Sequence, residues 1–151
     1  MEKIDMKAGN FLFPYNIGDG GCYGVKWEGT TLSMTICRYY LDESDPNEIE
    51  VEFYGVEWMR STTNDDVPPR DNPIMFGYDP EIPMEEYPLI SQEDFQKDYI
   101  EYVAHGQLNA IRLLDKNVVF IDDIMFFSCT EIKVIRAICN PDIKKTIDRL
   151  M

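Results

Sequence analysis

The sequence is poor in histidine and in basic side chains, and it contains no long apolar run. It has one histidine, His105, and 14 lysine and arginine residues against 28 aspartate and glutamate residues. Cys–His or Ser–His catalysis would have to use His105, but we expect it to lie at a helix end, where a cation complements the helix dipole. No segment approaches the ~20 apolar residues of a membrane span. The charged start predicts no secretory signal, so we expect a soluble, cytoplasmic chain.

Motifs for metals and nucleotides are also missing. Four cysteines are present and none forms a CxxC pair: Cys22, Cys37, Cys129 and Cys139. We therefore expect four reduced thiols and no zinc site. The glycines of residues 18–24 do not form a phosphate-binding loop, because Tyr23 stands where the third glycine is required. The acidic loop of residues 42–47 lacks the glycine and distal glutamate of an EF-hand. The sequence predicts no metal and no cofactor.

The negative charge is concentrated in the middle of the chain. The net charge is −14, and residues 42–101 hold 18 acidic and three basic residues, so this segment carries −15. A surface of this kind repels nucleic acid and anionic membranes and attracts cationic partners. General solubility is the alternative interpretation. We expect a basic protein partner, no nucleic acid and no membrane.

Period-two alternation of apolar and polar residues indicates β-strands. Residues 22–40 predict a hairpin that turns at Glu28-Gly29, with Tyr23, Val25 and Trp27 on one face of its first strand. Residues 48–60 predict a further strand, with a bulge at Gly55 after which the alternation resumes. Three more strands are predicted, at residues 107–114, 118–127 and 131–138.

Proline and helix signals complete the expected fold. Residues 61–90 contain six of the nine prolines and predict a long loop within a single domain of residues 1–151. Ser91 begins a capping box that starts a short helix, and Asn140-Pro141 begins a second one. The expected class is α+β, with a β-rich antiparallel sheet of about five to six strands and one or two short helices.

One predicted strand carries a row of acids. Ile49, Val51 and Phe53 alternate with Glu48, Glu50 and Glu52, so three carboxylates share one face at a spacing of about 7 Å. A wet face that prevents aggregation is one explanation. The other is a negative ladder that binds a cationic partner. The residues predicted to bind the partner are Glu48, Glu50, Glu52, Tyr54 and Tyr78.

Two other functions stay open at this level. Asp122 and Asp123 interrupt an apolar strand pair, so they could act as acid and base in a small enzyme, although a tight turn explains them as well. Carboxylates in two rows could also imitate the phosphates of a nucleic acid. We expect a binding protein with no catalytic residues in preference to either alternative.

Part of the chain resembles small bacterial immunity proteins of polymorphic toxin systems. The matching pieces are the turn Ile17-Gly18-Asp19, residues 25–36 with their Glu28-Gly29 turn, and residues 49–56, which contain Phe53, Gly55 and Val56. Gly18 stands where such proteins carry a histidine. The resemblance implies a β-rich intracellular protein that neutralises a toxin by binding it, and it assigns no site residues.

Overall fold

The computed structural model of the protein describes residues 2–4, 21–37, 46–61, 83–99, 111–115, 117–121 and 125–139. These residues are predominantly β and contain nine strands in two antiparallel sheets. The strands are β1 Glu2–Ile4, β2 Gly21–Glu28, β3 Thr31–Cys37, β4 Glu48–Tyr54, β5 Met59–Ser61, β6 Ile111–Asp115, β7 Val118–Ile121, β8 Met125–Ser128 and β9 Glu131–Ile138. The larger sheet has the order β1-β9-β4-β3-β2 and the smaller one β5-β8-β7-β6.

An apolar core lies between the two sheets. Phe53 of β4 meets Phe127 of β8 edge to face, with ring centroids 5.4 Å apart. Other fully buried side chains come from both sheets: Leu32, Ile36, Ile49, Val51, Val119 and Ile132. Each such side chain contributes about 1.5–3 kcal/mol through removal from water. The core therefore fixes which face of β3, β4 and β9 points to solvent.

The hairpin of β2 and β3 is confirmed, but one side chain faces the other way. A bulge between Tyr23 and Lys26 inserts an extra residue, and Gly24 has a φ of +63° there. Cys22 and Val25 are both buried as a result, while Tyr23 lies on the solvent side with Lys26. The expectation that Tyr23 shares a face with Val25 and Trp27 is wrong, because a bulge shifts the alternation by one residue.

Gly55 moves the chain from one sheet to the other. The predicted strand of residues 48–60 is two strands, since β4 pairs with β3 and β9 whereas β5 pairs with β8. Gly55 has a φ of +78°, and a Cβ there would lie 2.5 Å from Oγ1 of Thr130. The hydroxyl of Ser128 accepts from the amide of Glu57 at 2.8 Å and donates to the carbonyl of Gly55 at 2.9 Å. The expected bulge at Gly55 is therefore a crossover between sheets.

The number of strands also differs from the expectation of five to six strands in one sheet. Residues 118–127 divide into β7 and β8, which pair from Val118↔Ser128 to Ile121↔Met125. The alternation of apolar residues is hidden here because all four β7 side chains are buried. Strand β9 is confirmed at Glu131–Ile138.

Residues 83–99, here called the acidic strap, run along the terminal strands of both described sheets. The amide of Ile90 donates to the carbonyl of Met59 in β5 at 2.8 Å. Helix α1, Gln92–Asp94, follows and continues as a π-helical stretch, Phe95–Tyr99. The Ser91 hydroxyl accepts from the amide of Asp94, which confirms the predicted N-cap. Gln96 Nε2 donates to the carbonyl of Trp27 in β2 at 2.9 Å.

Aromatic contacts hold the strap against a second apolar cluster on the other face of the smaller sheet. Tyr87 of the strap packs edge to face on Phe126, with centroids 5.4 Å apart, and Trp58 packs on the same ring at 5.9 Å. Near the other end of the strap, Phe95 meets Trp27 at 5.9 Å. Of the predicted proline-rich loop, residues 62–82 lie outside the described residues, as do residues 140–151 with the second predicted helix.

Substitution of Gly55 by alanine is expected to lower the free energy of unfolding by roughly 2–3 kcal/mol, because it combines a positive φ with a clash against Thr130. Gly29→Ala is the matched control, since Gly29 has a φ of +62° and open space around it. We expect it to cost about 1 kcal/mol. Urea unfolding of both variants measures the difference. Equal costs would contradict the close approach of Gly55 to Thr130.

Candidate functional site: the outer face and the acidic strap

The solvent side of the larger sheet, here called the outer face, is centred on β4 and β9. The register places Glu50 opposite Arg136, Glu52 opposite Lys133, and Tyr54 opposite Glu131. Ser33 and Thr35 of β3 lie beside Glu52 and Glu50 on the other side. All of these side chains are partly or fully exposed. The outer face is thus a surface of charged and hydroxyl groups with Tyr54 at one end.

Cations from β9 stand beside two of the three acids on β4. Arg136 Nε lies 3.8 Å from the carboxylate of Glu50, and the side chains are 58% and 41% exposed. Lys133 Nζ lies 3.6 Å from Glu131 and 5.4 Å from the centroid of the Tyr54 ring. The carboxylate of Glu52 accepts a hydrogen bond from the Tyr54 hydroxyl. The acids of β4 therefore do not form an uncompensated negative ladder.

Glu48 is not part of the exposed row. It is only 7% exposed and accepts a hydrogen bond from the hydroxyl of Tyr23. Cys37 lies opposite Glu48 in the register and is fully buried. The prediction that Glu48 is a solvent-facing member of the ladder is wrong, because its end of the outer face is covered.

At the buried end of the outer face, two groups have raised pKa values, the Cys37 thiol and the Tyr23 phenol. Burial, followed by the nearby Glu48 carboxylate, raises the pKa of the Cys37 thiol to about 12. The pKa of Tyr23 is raised by burial and by its hydrogen bond to Glu48. At the exposed end, the hydrogen bond to Glu52 raises the pKa of Tyr54 to about 12. A phenol beside a carboxylate resists ionisation because the phenolate would repel the acceptor.

The acidic strap presents a different kind of surface. Four of its acids are exposed, Glu85, Glu86, Glu93 and Asp94. Within the described residues none of these four acids forms an ion pair. The described residues also contain no group of three or more His, Cys, Asp or Glu side chains that could hold a metal ion. Leu89, 61% exposed, lies between the two acidic pairs in sequence.

The strap is held in place by its backbone as well as by its aromatic residues. The Arg60 guanidinium donates to the carbonyls of Glu85 at 3.1 Å and Tyr87 at 2.6 Å. The same guanidinium stacks on Trp58 at 5.8 Å from the ring centroid. The amide of Ser61 donates to the carbonyl of Pro88 at 2.9 Å. The Arg60 guanidinium thus binds backbone carbonyls, while the side chains of Glu85 and Glu86 are exposed to solvent.

The structure places the predicted site residues in three groups. Glu50, Glu52 and Tyr54 come together on the outer face, Glu48 is buried beside them, and Tyr78 lies outside the described residues. His105, Asp122 and Asp123 also lie outside them. Sequence reasoning missed the cations that face the acids, Lys133 and Arg136. The charged residues among the apolar ones in residues 131–136 are the signal that could have revealed them.

The acids of the strap were missed for another reason. They belong to the acidic segment that the sequence identifies. Their positions are typical of a loop and of a helix N-terminus, and such patterns do not show whether a side chain is paired or exposed to solvent. The sequence also does not show whether the apolar residues of the loop pack on the protein itself or on a partner. Tyr87 docks on the domain itself.

The chain was compared with protein families, with curated proteins and with solved structures. No protein-family model, no curated protein and no solved structure matches the chain. The helices of the described residues include none with the length and apolar character needed to cross a membrane.

The Tyr54 hydroxyl is expected to remain protonated at pH 11, because its hydrogen bond to Glu52 raises its pKa from 10 to about 12. The hydrogen bond therefore stabilises the fold fully below about pH 10, and the contribution is lost as the pH rises through about 12. In Glu52→Ala the pKa falls towards 10. The measurement is absorbance at 295 nm, taken as the difference from Tyr54→Phe in each background. Glu50→Ala is the control and should leave the Tyr54 titration unchanged, so an equal shift in both variants would contradict the assignment.

One of the four thiols is expected to react with Ellman's reagent in the folded protein at pH 8. Cys139 is exposed, whereas Cys22, Cys37 and Cys129 are buried. Burial raises the pKa of Cys37 to about 12 and that of Cys129 to about 11, so both stay as unreactive thiols. Cys139→Ser should abolish the fast reaction, and urea should expose the remaining thiols. Fast reaction of two thiols before unfolding would contradict this arrangement.

Proposed function

We propose that the chain is a protein-binding module that neutralises a cationic protein partner, as the immunity proteins that it resembles neutralise toxins. The observation that supports this function best is the exposure of Glu85, Glu86, Glu93 and Asp94 on an anchored segment. Lys97 is the one exposed base among the described side chains of that segment. In a chain of net charge −14, these groups form a negative surface that an approaching cation meets unneutralised.

Anchoring matters because a partner gains most from groups that are already positioned. Tyr87, Ile90 and Phe95 are buried, so the backbone between the exposed acids is fixed by the core. A preorganised surface loses little side-chain and backbone freedom on binding. Exposed carboxylates also accelerate association with a basic protein through long-range attraction.

Leu89 supplies an apolar contact within this negative surface. Its neighbours Tyr87 and Ile90 point into the protein, while Leu89 is 61% exposed. Burial of a leucine side chain against a partner contributes about 1.5–3 kcal/mol. An apolar contact with acids before and after it along the strap fits a partner that presents an apolar side chain together with lysine or arginine.

The outer face has a smaller role in binding a cationic partner. Arg136 and Lys133 lie next to Glu50 and Glu52, so a basic protein docking there would meet like charge. Tyr54 is also engaged by Glu52 and Lys133. We therefore assign the cationic partner to the acidic strap, and the predicted ladder of β4 is at most a secondary contact.

The test is co-purification with the product of the adjacent reading frame, followed by binding measurements with that protein. Glu85→Lys/Glu86→Lys should weaken binding by more than tenfold and reduce its dependence on salt, because it reverses charge at the contact. Glu50→Lys/Glu52→Lys is the matched control, since it changes the net charge by the same amount on another surface. Its effect should be several-fold smaller.

Three outcomes would contradict the proposal. The adjacent product could be acidic and fail to bind, or both double variants could leave affinity and salt dependence unchanged. A loss of binding confined to the outer-face variant would instead move the partner to the β4 acids. Thermal unfolding of each variant establishes that the fold is retained.

A further inference from the structure

The outer face carries two parallel stripes of opposite charge. Strand β4 contributes Glu50 and Glu52, and its neighbour β9 contributes Arg136 and Lys133 directly opposite them. At these two positions the acids and the bases lie side by side, and Glu131, opposite Tyr54, continues the β9 row beyond Lys133 with an acid. A face of this kind is complementary to a second copy of itself. When the two faces meet, the acids of each copy can lie over the bases of the other.

These charged groups have capacity for further contacts. The separation of Arg136 and Glu50, 3.8 Å, is long for a hydrogen-bonded ion pair, and both side chains are about half exposed. A guanidinium has five donors and a carboxylate can accept about four bonds. The exposed pairs within one sheet contribute little by themselves, about 0–1 kcal/mol each. Pairs that are shielded from water between two copies are screened less by salt.

We propose that the outer face binds a second copy of this chain, around a two-fold axis that lies parallel to β4 and β9 and midway between them. Rotation about this axis keeps each residue at the same position along the strand direction. It places β4 of one copy over β9 of the other. Glu50 of one copy then lies over Arg136 of the other, and Glu52 lies over Lys133. The interface is isologous, so every pair occurs twice.

The dimensions of the face permit such a dimer. The open part of β4, residues 50–54, is about 17 Å long, and the five strands together span about 20 Å. The face can therefore bury roughly 700 Å² over two copies, an area typical of weak, transient contacts. Packed sheets lie about 10 Å apart, a gap that an arginine and a glutamate bridge together. A weak, reversible dimer is expected.

Apolar atoms on the same face add to the contact. The Tyr54 ring lies at the open end of β4. Ser33 and Thr35 of β3 are small, so they allow close approach of the second copy beside the stripes. The charged stripes then fix the register, and the apolar groups lie at the periphery.

The choice of a second copy follows from charge complementarity. A cationic partner would be repelled by Lys133 and Arg136, and an anionic partner by Glu50 and Glu52. The net charge of −14 opposes self-association at long range. At 0.15 M salt the Debye length is about 8 Å, so the repulsion between distant charges is screened while the facing stripes interact.

A charge-swap experiment at 0.15 M salt tests the dimer. Variant A is Glu50→Lys/Glu52→Lys, which places bases at all four of these positions, and variant B is Lys133→Glu/Arg136→Glu, which places acids at all four. Sedimentation equilibrium should show wild-type dimer at concentrations below about 1 mM, and monomers for A alone and B alone. Mixing A with B should restore association, with a heterodimer at least tenfold tighter than either homodimer. The fourfold variant, in which the stripes exchange, should dimerise like the wild type.

Several outcomes would overturn the proposal. If the wild-type protein sediments as a monomer up to about 1 mM, the proposal is overturned. This result does not depend on whether the variants fold. Dimers that persist unchanged in A and B would place the contact elsewhere. A structural role confined to one sheet predicts lower melting temperatures for A and B and no heterodimer. The dimer does not depend on the proposed function, because the strap double variant Glu85→Lys/Glu86→Lys should dimerise normally.

Discussion

Gly55 has a backbone conformation that residues with a Cβ adopt only with strain, and it occupies the point where the chain leaves one sheet and enters the other. Thr130 packs against the space where a Cβ would be, and the Ser128 hydroxyl joins the crossover on both sides. Because of this crossover, one continuous segment contributes β4 to the larger sheet and β5 to the smaller one. Strand β4 presents the acids of the outer face, and β5 holds the backbone of the strap. Both candidate surfaces therefore depend on the same glycine.

Charge in this molecule is distributed differently in space and along the chain. Residues 42–101 carry −15, and along the chain they read as one acidic block. The fold divides that block, since the β4 acids face Lys133 and Arg136, which come from the nearly neutral remainder of the sequence. Among the described residues, the four exposed acids of the strap form no ion pair. One block of sequence thus produces a balanced face and an unbalanced one.

Local patterns predicted what depends on local geometry. The β2–β3 hairpin, the buried side of β4 and the N-cap at Ser91 follow from alternation, turn residues and side-chain chemistry. The bulge at Gly24 could not be predicted in this way. A glycine in a strand can mark a bulge, a bend or a close backbone approach, and the pairing with β3 determines which of these occurs. The burial of Glu48 depends on Tyr23, which lies 25 residues away. Pairing between distant strands likewise decided the number of sheets.

The two proposed surfaces can work together because they use charge at different ranges. Matched stripes attract only at contact, since the fields of paired opposite charges cancel beyond a few ångströms and salt screens the rest. The strap has four exposed acids against one exposed base, Lys97, so its field extends further, and in the proposed function it would steer a cationic protein towards the chain. The strap lies along the terminal strands β2 and β5, away from the centre of the outer face. A dimer joined through its outer faces would therefore present two straps, and it would attract a basic partner more strongly than one copy does.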